Sequence, residues 1–291
     1  MSFINIIKSI YLFLLLIIIL LFNKRKLKRN PEDIFFFNKT FIECHRGMNK
    51  ETFQNTLKSF SLAIDYNLES IEADVWLTKD NVAVIVHGHG ENGNLNEYYD
   101  HPGNVTNLTY EELSTYRTVK YNLKIPKLDD VLKLAKNKIF LNLEIKDPRV
   151  DLVFPQVIRI IEKYNFLNQI ILSSFNHEYY QKVQEYNKEN HINLIFGFIY
   201  QKYAQSQYDY NKPGNCLSIY WADATKTVCD RAHKNNMAVL AWFDMIDDET
   251  LEIYRQLIDN GVDVICCNDP LKARKFKLYY EMIKNNIHFY G

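Results

Sequence analysis

The chain has no cysteine framework. Its five cysteines, Cys44, Cys216, Cys229, Cys266 and Cys267, are odd in number, two are adjacent, and no CxxC or Cys/His metal spacing occurs. That argues against a disulfide-stapled fold and a thiolate metal site, and leaves reduced, buried thiols. Charge of one sign is also missing: 35 Lys and Arg balance 35 Asp and Glu. No global field points to nucleic acid or acidic polymers, and no nucleic-acid partner is expected. Glycine is scarce, at 9 of 291 residues, while Tyr, Phe, Asn, Lys and Ile abound. We read this as compositional bias with little functional content. What is present, 47% hydrophobic residues over this length, suffices for one large domain.

The N-terminus is the sharpest break in composition. Residues 10–22 are apolar except for Tyr11, the run reaches back to Phe3 with Asn5, Lys8 and Ser9 inside it, and Lys24-Arg25-Lys26-Leu27-Lys28-Arg29 follows at once. No small-residue cleavage site separates the two, which argues against a removed signal peptide. The expectation is a single N-terminal hydrophobic helix and basic linker over 1–30, making a single-pass membrane protein. The positive-inside rule then places a domain over 31–291 in the cytoplasm. A secreted or lumenal domain is the alternative, and sequons at Asn38, Asn104 and Asn107 would fit it.

Beyond the linker, strand-like and helix-like blocks alternate. Strands are expected at 41–44, 70–77, 82–86, 138–145, 169–173, 193–199, 217–221, 238–243 and 262–266. Helices are expected at 56–66, 110–116, 128–136, 154–164, 177–187, 226–235 and 249–260, with a long polar loop at 91–107. Ile-, Val- and Leu-rich strands alternating with helices imply βαβ units and a parallel sheet. The fold class is an α/β, TIM-type (β/α)8 barrel. It needs eight staves, so one block is surplus, and the 217–221 block is the one expected to drop out.

Chemistry-bearing residues sit at strand ends, where such a barrel keeps its site. His45 and Arg46 follow the first strand, and His87 ends the 82–86 block. Period-two alternation puts Glu72 and Asp74 on one side, and groups Asn142, Glu144 and Lys146 on one face of their strand. Three carboxylates at one mouth repel each other, and a hard divalent cation, Mg²⁺ or Ca²⁺, relieves this. An internal salt-bridge network with Arg46 and Lys146 is the other reading. Two imidazoles suit acid–base work, and Arg46 and Lys146 suit a phosphate. Together they describe a site for an anionic phosphoester. Glu43, one layer deeper, is expected as a structural ion-pair partner, and Tyr98-Tyr99-Asp100-His101 as loop surface.

The ordered set His45-Arg46-Gly47, Gln54-Asn55-Thr56-Leu57, Ile71-Glu72-Ala73-Asp74-Val75, Leu77-Thr78-Lys79-Asp80 and His87 resembles the glycerophosphodiester phosphodiesterases. Leu143-Glu144-Ile145-Lys146, Ser174-Phe175, Trp242, Gly261-Val262-Asp263 and Asn268-Asp269-Pro270 continue the likeness, over about residues 41–271. The resemblance implies hydrolysis of glycerophosphodiesters or lysophospholipids, to an alcohol headgroup and a phosphomonoester. By similarity, Glu72, Asp74 and Glu144 bind the metal, and His45 and His87 form the acid/base pair. Arg46 and Lys146 hold the phosphate, and Trp242 lines the alcohol pocket. In such families a substrate hydroxyl beside the phosphate can attack first, giving a cyclic phosphate that water opens. Gln54 stands where the family carries Glu, Gly88 where it carries Asp after the second His, and Trp242-Phe243-Asp244-Met245 replaces its usual tryptophan segment. Gln54 and Gly88 support the alternative of a catalytically inactive, membrane-tethered relative that binds phospholipid headgroups. No departure removes a residue assigned to the metal, the phosphate or the acid/base pair, and catalysis is the expectation. A barrel phospholipase for inositol or sphingoid lipids, and a generic metal hydrolase, fit the motifs less well.

Overall fold

The structure, a computed structural model, describes residues 39–287. Its elements are β1 (Phe41–Cys44), α1 (Leu57–Asp65), β2 (Ser70–Leu77), β3 (Ala83–Ile85), α2 (Tyr110–Leu113), α3 (Leu128–Ala135), β4 (Phe140–Ile145), α4 (Val150–Lys163), β5 (Ile170–Ser174), α5 (Glu178–Asn190), β6 (Phe196–Ile199), β7 (Cys216–Tyr220), α6 (Lys226–Lys234), β8 (Ala238–Trp242), α7 (Leu251–Asn260), β9 (Val264–Cys267) and α8 (Pro270–Ile287). The hydrogen-bonded order is β1-β9-β8-β7-β6-β5-β4-β2, and β1 pairs with β2 to close the ring. Every pairing in that ring is parallel, as the (β/α)8 expectation requires.

The surplus strand is not 217–221. That block is β7, a full stave between β6 and β8. The strand outside the ring is β3, antiparallel to the upper half of β2. β1 holds Ser70 and Ile71 at the lower half of β2, which leaves Val75 to Leu77 to pair with β3. No α-helix separates β6 from β7. Tyr200, Tyr208 and Tyr210 fill that place as buried members of the main core.

Parity sorts the side chains. Ile42 and Cys44 of β1, and Leu141, Leu143 and Ile145 of β4, pack outward in the core shared with the helices. Phe41, Phe140, Ile171, Ile195, Cys216, Ala238 and Val264 form a separate cluster, the apolar plug inside the staves. Above it runs a polar chain. Ser70 Oγ donates to Glu43 Oε2 at 2.7 Å, Asn142 Nδ2 donates to Glu43 Oε1 at 3.0 Å, and Ser173 Oγ donates to Asn142 Oδ1 at 2.7 Å. Glu43 is thus held by hydrogen bonds, and among the described residues it does not form the ion pair expected of it.

The 91–107 segment is a built layer. Trp76, Val84, Val86, Leu95, Tyr99, Val105, Leu113 and Tyr116 make a third cluster under it. Tyr99, expected at the surface, is buried there. Helix α8, which the periodicity missed, starts on Pro270, a residue suited to a first helical turn.

The membrane expectation is corrected. Among the described residues no helix is long and apolar enough to cross a membrane, so a single-pass protein with a cytoplasmic barrel has no support. The longest helix, α8, carries Lys272, Arg274, Lys275, Lys277, Glu281 and Lys284. The 1–30 segment, from which that expectation came, lies outside the described residues.

Candidate active site

The site grows from the carboxyl ends of β1, β2 and β4. The β2–β4 register sets Glu72 beside Asn142 and Asp74 beside Glu144, so both strands deliver carboxylates inward at one height. One oxygen each of Glu72, Asp74 and Glu144 lies within 4.8 Å of the others, and all three residues are buried. The chain leaves β1 through Arg46, at φ 57, and Gly47, at φ 82. At Gly47 a Cβ would lie 2.5 Å from Ser59 Oγ, so only glycine fits this turn. The turn aims the Arg46 backbone N–H at Glu72 Oε2, 2.9 Å away.

Cations thread the carboxylates. Arg46 Nε lies 3.3 Å from Asp74 Oδ2, and Lys146 Nζ lies 3.3 Å from Asp74 Oδ1 and 2.5 Å from Glu144 Oε1. The salt-bridge reading therefore holds in part, but it stops short of Glu72. Among the described residues, Glu72 Oε1 is buried with neither a hydrogen bond nor a cation. Burial, then Asp74 and Glu144, push the Glu72 carboxyl well above the usual carboxylate range. Burial would raise Asp74 too, but Lys146, Arg46 and His87 outweigh it and hold Asp74 low. Burial, opposed by Lys146 and reinforced by Asp74, leaves Glu144 raised.

A cavity of about 660 Å³ opens here, lined by His45, Arg46, Glu72, His87, Glu144 and Lys146, with Trp242 on the far side. Asp74 sits behind that wall, fully buried. Burial and the Arg46 charge depress the His45 imidazole to about 3. Burial, against the opposing pull of Asp74 and with help from Arg46 and Lys146, depresses His87 to about 3. Both rings are therefore neutral near pH 7. His45 Nδ1 lies 2.9 Å from Asn268 Oδ1, whereas His87 Nδ1 is buried without a partner. All eight residues expected at the site thus border the cavity or lie directly behind it.

The matching family model is that of the Glycerophosphoryl diester phosphodiesterase family, over residues 45–272. The chain belongs to this family. A glycerophosphodiester phosphodiesterase of Caldanaerobacter subterraneus subsp. tengcongensis is 29% identical over 245 residues, 80% of this chain and 95% of that protein. A solved protein of Galdieria sulphuraria, described as a candidate glycerophosphodiester phosphodiesterase, superposes with a TM-score of 0.70. It shares 25% identity over 82% of this chain and 98% of its own. An Oleispira antarctica phosphodiesterase, solved with the product sn-glycerol-3-phosphate, shares the fold at a TM-score of 0.68 and 18% identity, over 82% of this chain and 99% of its own. As a family member the chain is a phosphoric diester hydrolase, and glycerophosphodiesters are its substrate class.

The three departures from the family pattern have structural answers. Gln54 Oε1 accepts from Arg46 Nη1 at 2.7 Å, so a neutral amide holds the guanidinium. Gly88, at φ 55, has no room for a side chain, because a Cβ would lie 2.8 Å from Gly93 Cα. His89 instead meets the His87 ring edge-on at 4.8 Å, and His89 Nε2 lies 3.1 Å from Glu97 Oε2. In the tryptophan segment, Asp244 pairs with Lys202 at 2.7 Å, while Met245 and Ile246 stand on the cavity rim.

Pattern reading assigned no role to Asn55 or Asn268. Asn55 Nδ2 donates to Asp74 Oδ2 at 2.6 Å, and its Oδ1 accepts from the Asp74 N–H at 3.2 Å. Both asparagines lay in quoted motifs, but only their contacts reveal what they brace.

Proposed function

We propose that this phosphodiesterase is metal-dependent, with Glu72, Asp74 and Glu144 holding one Mg²⁺ or Ca²⁺. One observation carries this reading: three inward carboxylates converge within 4.8 Å, and Glu72 Oε1 is a buried oxygen without a partner. An all-oxygen donor set fits a hard cation. Such a cation supplies Lewis-acid polarisation of a phosphoryl oxygen and offsets negative charge there.

The chain's own groups do the rest. Arg46 and Lys146 hold the phosphodiester, and the Arg46 fork keeps donors beyond the two used by Asp74 and Gln54. His45 and His87 are the acid/base pair. Burial is the main reason His87 stays unprotonated, and Arg46 and Lys146 add to it; a phosphodiester bound beside them offsets their part, which favours the protonated form. Trp242, whose Nε1 is buried and unpartnered, lines the alcohol pocket. Phe175 meets it edge-on at 6.4 Å.

Lysophospholipids form a second substrate group, favoured by the rim. Met245 and Ile246, the latter 87% exposed, offer an acyl chain an apolar landing beside the cavity. A panel of glycerophosphodiesters and lysophospholipids, with and without chelator, tests both readings. Metal-restored release of choline, ethanolamine or glycerol 3-phosphate is expected. No release from any diester would favour the inactive headgroup-binding alternative.

A further inference from the structure

Asn268 follows β9, and its hydrogen bonds fix which way its amide points. The backbone carbonyl of Asp244 can only accept, so the Asn268 nitrogen faces it, with Nδ2 donating at 2.8 Å. Asn49 is fixed likewise: its Nδ2 donates to the His45 carbonyl at 2.7 Å and also to Asn268 Oδ1 at 3.0 Å. Asn268 Oδ1 is therefore the atom 2.9 Å from His45 Nδ1, and it too can only accept. The proton of a neutral His45 must then sit on Nδ1, leaving a lone pair on Nε2. Both asparagine orientations rest on carbonyl partners, so the tautomer follows from the network.

Asn268 is itself gripped from behind. Its backbone N–H donates to Glu249 Oε1 at 2.6 Å, and the Asp269 N–H donates to Glu249 Oε2 at 3.1 Å. Tyr254 Oη donates to the same Oε2 at 2.5 Å. Glu249 and Asn268 are both buried, so the brace beneath His45 is continuous from α7 to the cavity wall. His87 has no counterpart to it, since its Nδ1 lacks a partner.

We propose that Asn268 is a positioning residue that locks His45 as the Nδ1–H tautomer, and so assigns His45 Nε2 as the base that starts the reaction. This rests on the reading of the site as a phosphodiesterase centre. With its only proton committed to Asn268, His45 cannot be the first donor at the cavity. As the attacking oxygen bonds phosphorus, its O–H bond breaks and the proton goes to Nε2. The P–O bond to the alcohol breaks with its electron pair on the leaving oxygen, which takes the proton held by His87. Nδ1–H stays with Asn268 throughout, and the amide carbonyl supports the imidazolium that forms.

The test is long-range ¹H–¹⁵N correlation spectroscopy of the full-length, labelled protein near pH 7, with His45 assigned by loss of its signals in His45→Gln. Lone-pair character at Nε2 and N–H character at Nδ1 are expected, and the reverse tautomer would overturn the proposal. Asn268→Leu should lose the single tautomer and lower kcat by about 10²-fold, the low end for a general base, with KM little changed. Asn268→Asp keeps an acceptor in place and should recover most of that loss. Full kcat in Asn268→Leu, or no recovery in a folded Asn268→Asp, would reject the role. The nitrogen shifts do not depend on turnover, so they separate this proposal from the underlying reading, which fails only if the unmodified enzyme releases nothing from any diester.

Discussion

Glu72→Gln should do two opposite things: abolish activity and stabilise the metal-free protein. Arg46 and Lys146 serve Asp74 and Glu144, and Glu72 receives only a backbone N–H. Two unit charges within 4.8 Å of each other repel by at least about 3.5 kcal/mol at an effective dielectric of about 20. Nearby cations and partial protonation reduce this, so a gain of about 2 kcal/mol, or roughly 4–8 °C in Tm, is expected in chelator. Gln retains an oxygen for the Arg46 N–H and nearly the same volume. The sign with pH is definite. A carboxyl raised in the folded state binds its proton more tightly there than in the unfolded chain. Stability from this group therefore falls as pH rises above its ordinary value near 4.5. The Tm difference, variant minus parent, should be near zero at about pH 4.5 and grow toward pH 8. A saturating metal, at a hundred times its Kd, would stabilise the parent by about 2.7 kcal/mol and the variant far less. Differential scanning fluorimetry over pH, with chelator or Mg²⁺, reads all of this. A variant less stable than the parent at pH 8, or equally stabilised by metal, would refute the reasoning.

His45→Gln and His87→Gln should each lower kcat by about 10²–10⁴-fold in steady-state assays while leaving the metal-induced Tm shift intact. Because burial above all holds both imidazoles at about 3, their contribution to stability is lost as pH falls below about 6.5. Each variant should flatten the parent's loss of Tm between pH 6.5 and 3. Asn55→Ala removes both bonds to Asp74 and places a side chain without amide oxygen at φ 54. It should cost about 1–3 kcal/mol by chemical denaturation and weaken metal binding roughly 10–100-fold by titration. Ile246→Ser should raise KM for lysophospholipids without altering KM for glycerophosphodiesters.

The barrel was legible because strand alternation and helix spacing are local. Glu72 and Asp74, two apart on β2, had to share a side, and Glu144 followed by the same rule on β4. Seven site residues could be named because each follows or closes a strand-like run or shares its parity, whereas Trp242 came only from the family resemblance. What stayed hidden depends on long-range pairing. β3 reads like any apolar strand, and only its antiparallel partner on β2 removes it from the ring. β7 looked dispensable because three tyrosines, not a helix, bridge it to β6. Asn55 and Asn268 lie 19 and 223 residues from Asp74 and His45, the groups they brace, and no periodicity encodes such contacts.

The central claim is that Glu72, Asp74 and Glu144 grip one divalent cation. Anomalous diffraction from crystals grown with Mn²⁺ tests it most directly. The account predicts one peak within coordination distance of all three carboxylates, absent in Glu72→Gln. A peak elsewhere, or none at a concentration that supports turnover, would contradict it.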